Sequence, residues 1–247
     1  MTARSVVRVE LSDGTIVQGV LRDGDIVVEG RTYADAEVRY LVPSIPTKLV
    51  CVGLNYRDHA EEMKMELPTE PLLFLKPPSS LLRHDEPIRR RPEVERLDYE
   101  GELAVVIGQR ARGIAAADAM EYVAGLTMAN DVTARNFQLP GSQWTRAKGY
   151  DTFAPVGPAL VETTEWFGRK ISTVLNGELV QSSNTDQLIF TVPDLIEHIS
   201  SVMTLEVGDL ILTGTPSGVG RMVAGDVVEV TIEGLGTLRN SVTDDEP

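Results

Sequence analysis

Turn-forming residues cut this chain into short runs, and most of the runs are β-type. In the first 46 residues, Val6 to Leu11, Thr15 to Leu21 and Asp25 to Val28 are separated by Ser12-Asp13-Gly14, Asp23-Gly24 and Glu29-Gly30. Glycine and aspartate at such points supply the left-handed or tightly bent backbone that a hairpin needs. The spacing predicts a small N-terminal β-meander over residues 1–46, closed by a linker around Pro43 and Pro46. The remainder, 47–247, reads as one mixed, β-rich α+β domain. In it Lys48 to Leu54, Leu72 to Leu75, Leu103 to Ile107, Leu126 to Ala129, Leu210 to Thr213 and Val227 to Ile232 are expected strands. Asn176-Gly177 is a hairpin signal between Ile171–Leu175 and Glu178–Gln181. Tyr56 to Met65, Ala115 to Val123 and Pro193 to Met203 are expected helices, and Thr243 to Pro247 an acidic, frayed tail.

Charge narrows the function. With 37 acidic against 23 basic residues the net charge is −14. Such a chain repels phosphate backbones and anionic membrane surfaces, so nucleic acid and lipid are poor partners, whereas cations are suitable ones. A lone cysteine, Cys51, allows no internal disulfide and lies in a buried-strand pattern. No apolar run approaches the ~18 residues of a membrane span, and a cytoplasmic location is expected.

The strongest chemical signal is Asp98-Tyr99-Glu100-Gly101-Glu102 before the apolar run Leu103–Ile107. Residues two apart on a strand share a face, so Glu100 and Glu102 project together and repel unless a cation lies between them. Asp131 follows a second expected strand. Three carboxylates without a neighbouring His or Cys suit a hard, oxygen-liganded ion, Mg²⁺ or Mn²⁺ before Zn²⁺. Taken alone, a Glu-x-Glu pair is equally the solvated face of a strand, and Asp131 a strand end or helix cap.

Other motifs stand around these acids. They are Gly53-Leu54-Asn55-Tyr56-Arg57-Asp58-His59-Ala60-Glu61-Glu62, Asn130-Asp131-Val132-Thr133-Ala134-Arg135 with Gln138 beyond it, Lys148-Gly149-Tyr150-Asp151-Thr152-Phe153-Ala154-Pro155-Val156-Gly157-Pro158, and Leu212-Thr213-Gly214-Thr215-Pro216-Ser217-Gly218. In this order and spacing the sequence, from about Leu49 to Val230, resembles the fumarylacetoacetate hydrolase superfamily, nearest its acylpyruvase-type branch. The resemblance implies a β-roll or β-sandwich flanked by a few helices, a homodimer, and a Mg²⁺ or Mn²⁺ site formed by Glu100, Glu102 and Asp131.

His59 and Glu62, three apart, share a helical face; a carboxylate beside an imidazole makes a usable general base, although a solvated helix would look the same. The resemblance implies a lid on which this pair activates water. It likewise implies that Lys148 is an active-site ammonium, and it makes Thr215 a plausible substrate contact; Arg135 and Gln138 would bind substrate oxygens or brace their loop. His84 and His198 read as a surface residue and a member of an amphipathic helix. The expected substrate is an acylpyruvate or related β-diketo acid, a small 2-oxo acid hydrolysed at a C–C bond. Oxaloacetate decarboxylation and isomerisation of a 2-hydroxyhepta-2,4-diene-1,7-dioate are the close alternatives. A non-catalytic β-rich binding module is the alternative of a different kind.

Overall fold

A computed structural model describes residues 3–245. Three sheets carry most of the chain. The largest, of 12 strands, runs in the order Arg31–Tyr33, Asp25–Val28, Ile16–Arg22, Ser5–Leu11, Ala154–Val161, Val123–Asn130, Gly101–Ile107, Leu210–Leu212, Leu49–Gly53 and Leu72–Lys76, with Val38–Leu41 and Leu81–Leu82 joined to its side. A five-stranded sheet orders Glu178–Asn184, Lys170–Leu175, Val227–Ile232, Gly236–Asp244 and Ile88–Arg90. A short three-stranded sheet holds Thr133–Ala134, Leu97–Tyr99 and Gly220–Met222. Three short helices flank them: α1 (Arg57–Met63), α2 (Thr145–Lys148) and α3 (Val192–Val202). No helix among the described residues is long and apolar enough to cross a membrane.

Gly101–Ile107 is the axis of this arrangement, and all seven of its residues are buried. Its alternation divides two cores. Leu103, Val105 and Ile107 join Leu126, Met128, Ile171, Val230, Ile232 and the α3 residues Leu195, Ile196 and Ile199. Ala104 and Val106 join Leu49, Cys51, Ala129, Val156, Leu210 and Leu212. A strand covered on both faces must be apolar throughout, which is why Leu-Ala-Val-Val-Ile carries no polar residue. Each large aliphatic side chain buried here contributes about 1.5–3 kcal/mol.

Local chemistry explains the elements. Asn176 and Gly177 both have positive φ, 53° and 85°, as a two-residue hairpin turn requires. At the start of α3, Thr191 and Asp194 cap each other reciprocally, with Thr191 N–H donating to Asp194 Oδ2 at 2.9 Å. Ala116–Tyr122 is helical but wound as a 3₁₀ helix rather than an α-helix.

Two expectations are corrected. Thr243 and Asp244 do not fray: they end a nine-residue strand paired in parallel with Ile88–Arg90, and Asp245 N–H donates to the Arg90 carbonyl at 2.8 Å. Glu246 and Pro247 lie outside the described residues. His84 is half-buried rather than freely exposed: its side chain stacks edge-on against Tyr40, and Nδ1 accepts a hydrogen bond from Arg239 N–H.

Candidate metal and active site

Strand pairing brings the three acids together. The antiparallel register sets Gly101 opposite Asn130 and Glu102 opposite Ala129, so Glu100 and Asp131 meet just beyond the paired ends. Asp131 N–H donates to the Glu100 carbonyl at 2.8 Å, and Asn130 Oδ1 accepts from Glu100 N–H at 2.9 Å. One oxygen from each of Glu100, Glu102 and Asp131 lies within 4.8 Å of the others, all three residues being buried. This group could hold a metal ion.

Gly101 permits the site to sit between two sheets. A Cβ there would come 2.3 Å from Thr173 Oγ1, on the five-stranded sheet. With none, Gly101 N–H donates to Gln181 Oε1 at 3.0 Å, and Glu100 and Glu102 are held on the opposite side of the chain.

The charges are unevenly compensated. Glu100 accepts from Lys148 Nζ at 2.8 Å and from Arg135 Nη2 at 2.6 Å. Burial alone would raise its pKa, but these two cations outweigh burial and hold it at about 2. Asp131 accepts from Lys148 Nζ at 2.6 Å and also from the buried Lys76, which donates in addition to the Val132 carbonyl at 3.0 Å. Lys148 is kept protonated: burial would lower its pKa, and Asp131 and Glu100 raise it further than burial lowers it.

Glu102 differs. It is 1% exposed, and its hydrogen bond is to Gly214 N–H at 2.7 Å. Burial, then the charges of Asp131 and Glu100, push its pKa well above the usual carboxylate range despite Lys148 and the Gly214 N–H. No cationic side chain is paired with it among the described residues. A divalent cation is the partner that lets a buried third carboxylate ionise, and an all-oxygen donor set fits a hard ion. The residues therefore fit the group that the sequence implies.

Most of the expected residues line one cavity of about 260 Å³, namely His59, Glu100, Glu102, Arg135, Gln138, Lys148 and Thr215; Glu62 and Asp131 are not part of its lining. His59 Nδ1 lies 3.0 Å from Glu62 Oε2, and Glu62 in turn accepts from Gly218 N–H at 3.2 Å, which fastens α1 to the turn after Thr215. Arg135 and Gln138 flank a 3₁₀ turn, Arg135–Phe137, and their side chains hydrogen-bond each other. Arg135 also donates to Asp98 at 2.9 Å. Thr215 lines the cavity, yet its hydroxyl already donates to the Gly101 carbonyl and accepts from Gln181 Nε2, each at 2.9 Å.

Several contributors escape a reading of the sequence. Lys76 ends the apolar strand Leu72–Lys76, where a lysine ordinarily marks an exposed strand end; the only hint is that this chain has five lysines in all. Asp98, beside the Glu-x-Glu motif, anchors Arg96 and Arg135. Gln181 arrives from the other sheet, with no local signal.

A strand-rich scaffold thus brings together three buried carboxylates that could hold a metal ion, with Glu100, Glu102 and Lys148 lining a small cleft. The chain belongs to the fumarylacetoacetate hydrolase family, whose C-terminal model matches residues 48–243. An uncharacterised protein of Archaeoglobus fulgidus is 48% identical over 94% of this chain and 93% of its own length. The rat protein named oxaloacetate tautomerase Fahd2a, mitochondrial, is 45% identical over 84% of this chain and 70% of its own. The crystal structure of 5-carboxymethyl-2-hydroxymuconate delta-isomerase from Mycobacterium smegmatis superposes with a TM-score of 0.90 at 39% identity, covering 98% of this chain and all of that one. Members of the family include isomerases, tautomerases and hydrolases, which supports enzyme activity here.

Proposed function

We propose that the protein is a divalent-metal-dependent hydrolase that cleaves an acylpyruvate to pyruvate and a carboxylic acid. The observation that carries this reading is the His59–Glu62 pair beside the same cavity as Glu100, Glu102 and Lys148. Isomerisation needs proton transfer alone, whereas hydrolysis also needs an activated water, and this pair is built to supply one.

Glu100, Glu102 and Asp131 would hold Mg²⁺ or Mn²⁺, which when bound supplies Lewis-acid polarisation of the substrate's 2-oxo group. Glu62 takes the hydrogen bond of His59 Nδ1–H, leaving Nε2 with its lone pair as base. His59 removes a proton from water as the oxygen attacks the acyl carbonyl at C4. The C3–C4 bond breaks, its electrons pass to the pyruvyl fragment as an enolate, and the acyl carbon leaves as the carboxylic acid. The His59 imidazolium returns the proton to C3. Lys148 spends two N–H groups on Glu100 and Asp131, and its third is available to the oxygen on which charge develops. Arg135 and Gln138 orient the substrate at the rim, with Thr215 at the wall. A homodimer is part of the same reading, checked by light scattering.

A second reading is favoured by the names of the relatives: tautomerisation or isomerisation of a 2-oxo or 2-hydroxy-diene acid through the same enolate, without water. Assays of acetylpyruvate, oxaloacetate and a hydroxydienoate with Mg²⁺, repeated with His59→Ala, separate the two. Hydrolysis of acetylpyruvate should fall about 100-fold or more in the variant, the usual scale of a lost general base. Isomerisation alone, undiminished in His59→Ala, would sink the hydrolase reading.

A further inference from the structure

A closed ring of hydrogen bonds surrounds Gly101, the residue between the two glutamates. Gln181 Oε1 accepts from Gly101 N–H at 3.0 Å, and Gln181 Nε2 donates to Thr215 Oγ1 at 2.9 Å. The Thr215 hydroxyl donates in turn to the Gly101 carbonyl at 2.9 Å. The peptide groups on both sides of Gly101 are therefore held. The rest of the Gln181 amide is engaged as well: Oε1 accepts from Thr173 Oγ1 at 2.7 Å, and Nε2 donates to the Pro216 carbonyl at 3.0 Å. A primary amide offers two donor hydrogens and two acceptor positions, and all of them are filled here. Gln181 is buried, so removing its amide would leave several enclosed polar groups unpaired.

The strand Glu178–Asn184 is bent to present this side chain. Thr173 pairs with Gln181 and Val174 with Leu179, which leaves Val180 as an extra residue, a β-bulge. Residues two apart on a regular strand share a face, yet Leu179 is exposed and Gln181 buried, so the bulge is what turns the amide inward. The turn Thr213–Gly218 lies against the same bulge: a Cβ on Gly218, whose φ is +92°, would come 2.2 Å from the Val180 carbonyl oxygen. From there the turn reaches three other groups. Gly214 N–H donates to Glu102 at 2.7 Å, and Gly218 N–H donates to Glu62 at 3.2 Å. The Thr213 carbonyl accepts from Asn55 Nδ2 at 2.7 Å, just before α1. One turn thus touches a carboxylate of the candidate metal site and both ends of the helix that carries His59.

We infer that Gln181 is a positioning residue that couples the carboxylate site to α1. It pins the middle of the turn to the strand bearing Glu100 and Glu102, so that binding of a divalent cation and the placement of His59 favour each other. The inference rests on the reading of the three carboxylates as a metal site.

The test combines calorimetric titration with Mn²⁺ and hydrogen–deuterium exchange of Arg57–Met63, read by mass spectrometry with and without Mn²⁺. In the wild type, Mn²⁺ should slow exchange in α1. Gln181→Met keeps the length of the side chain and removes its hydrogen bonds. It should bind Mn²⁺ about tenfold more weakly or worse, the usual scale for a lost outer-shell partner. Its α1 amides should exchange about fivefold faster or more, and Mn²⁺ should no longer slow them. Asn240→Leu is the control: it removes two buried hydrogen bonds, to the Arg83 and Glu86 carbonyls, from another strand of the same sheet, and should leave Mn²⁺ affinity and α1 exchange as they are. Wild-type Mn²⁺ affinity or wild-type α1 exchange in a folded Gln181→Met overturns the inference, as do equal changes in Asn240→Leu. Should Gln181→Met fail to fold, Thr215→Val breaks the ring from the side of the turn, and the same two readouts decide. If the wild type binds no Mn²⁺, the metal reading falls and the inference with it. If the coupling holds while acetylpyruvate is not hydrolysed, the reaction assignment alone fails.

Discussion

At Glu102 a buried carboxylate meets one backbone N–H and no paired cation, while its neighbours Glu100 and Asp131 share Lys148 between them. That asymmetry makes Glu102 the acid of the three with the most to gain from a bound cation. Replacing it with Gln removes a charge whose folded form is costly, and the new amide can still accept from Gly214 N–H. Glu102→Gln should therefore keep or slightly raise the melting temperature of the metal-free protein and lose the rise that Mn²⁺ gives the wild type. Binding at 100 times Kd stabilises a native state by about 2.7 kcal/mol, so thermal melts with and without Mn²⁺ resolve the difference. A full Mn²⁺ response in the variant would remove Glu102 from the ligand set. At this scale the sequence is legible where pattern and chemistry coincide in a few residues, as in Glu-x-Glu before an apolar run. It is silent on Lys76 and Gln181. Their partners Asp131 and Gly101 are 55 and 80 residues away, and only tertiary pairing brings them into reach.

Elements are held by polar groups that seldom show in an apolar pattern. Asp209, just before the strand Leu210–Leu212, accepts from Thr47 N–H and Glu206 N–H at 2.8 Å, from Lys48 N–H at 3.1 Å, and from the Lys48 ammonium. It fastens the 44–48 segment to the strand that pairs in parallel with Leu49–Gly53. Burial would raise its pKa; the Lys48 ammonium, the Glu206 N–H and Thr47 together hold it below the ordinary value. A carboxyl depressed in the folded state contributes stability above its unfolded pKa of about 3.9 and loses it as pH falls through the lower folded value. Asp209→Asn should be less stable at pH 7 and should show a shallower loss of stability below about pH 4, measured as urea midpoints across pH. An unchanged acid limb would contradict this assignment. Strand identity was legible for Leu49–Gly53 and Val227–Ile232 because apolar runs bounded by turn residues leave little choice. Ala154–Val161 hid behind Pro155, Gly157 and Pro158, residues that usually break a strand. It nevertheless joins Ser5–Leu11 to Val123–Asn130 across the large sheet. Gly236–Asp244 was masked in the same way by Gly234 and Gly236 and by its acidic end.

For the whole molecule, a net charge of −14 means self-repulsion that the fold must carry. Raising NaCl from about 0.01 M to about 0.15 M shortens the Debye length from ~30 Å to ~8 Å. The metal-free protein should accordingly melt at a higher temperature in the higher salt, by scanning calorimetry; a lower one would mean that the exposed ion pairs, such as Arg90–Asp244 and Arg110–Glu206, outweigh the repulsion. The overall architecture was readable from the order of five motifs. The pairing of sheets was not, because it depends on absent side chains such as that of Gly101, whose significance appears only when the opposing Thr173 is in place.

The reach from Glu102 to Gly214, 112 residues along the chain, sets a timetable. A ribosome has delivered both glutamates and Asp131 long before it delivers the amide that receives Glu102, and the strand Gly236–Asp244 that seals Ile88–Arg90 comes later still. An emerging polypeptide thus carries all three carboxylates through about a third of its length, from Asp131 to Gly214, without the enclosure that buries them. The candidate metal site belongs to the finished chain, and a message cut short anywhere before Gly214 would leave Glu102 without the amide that receives it.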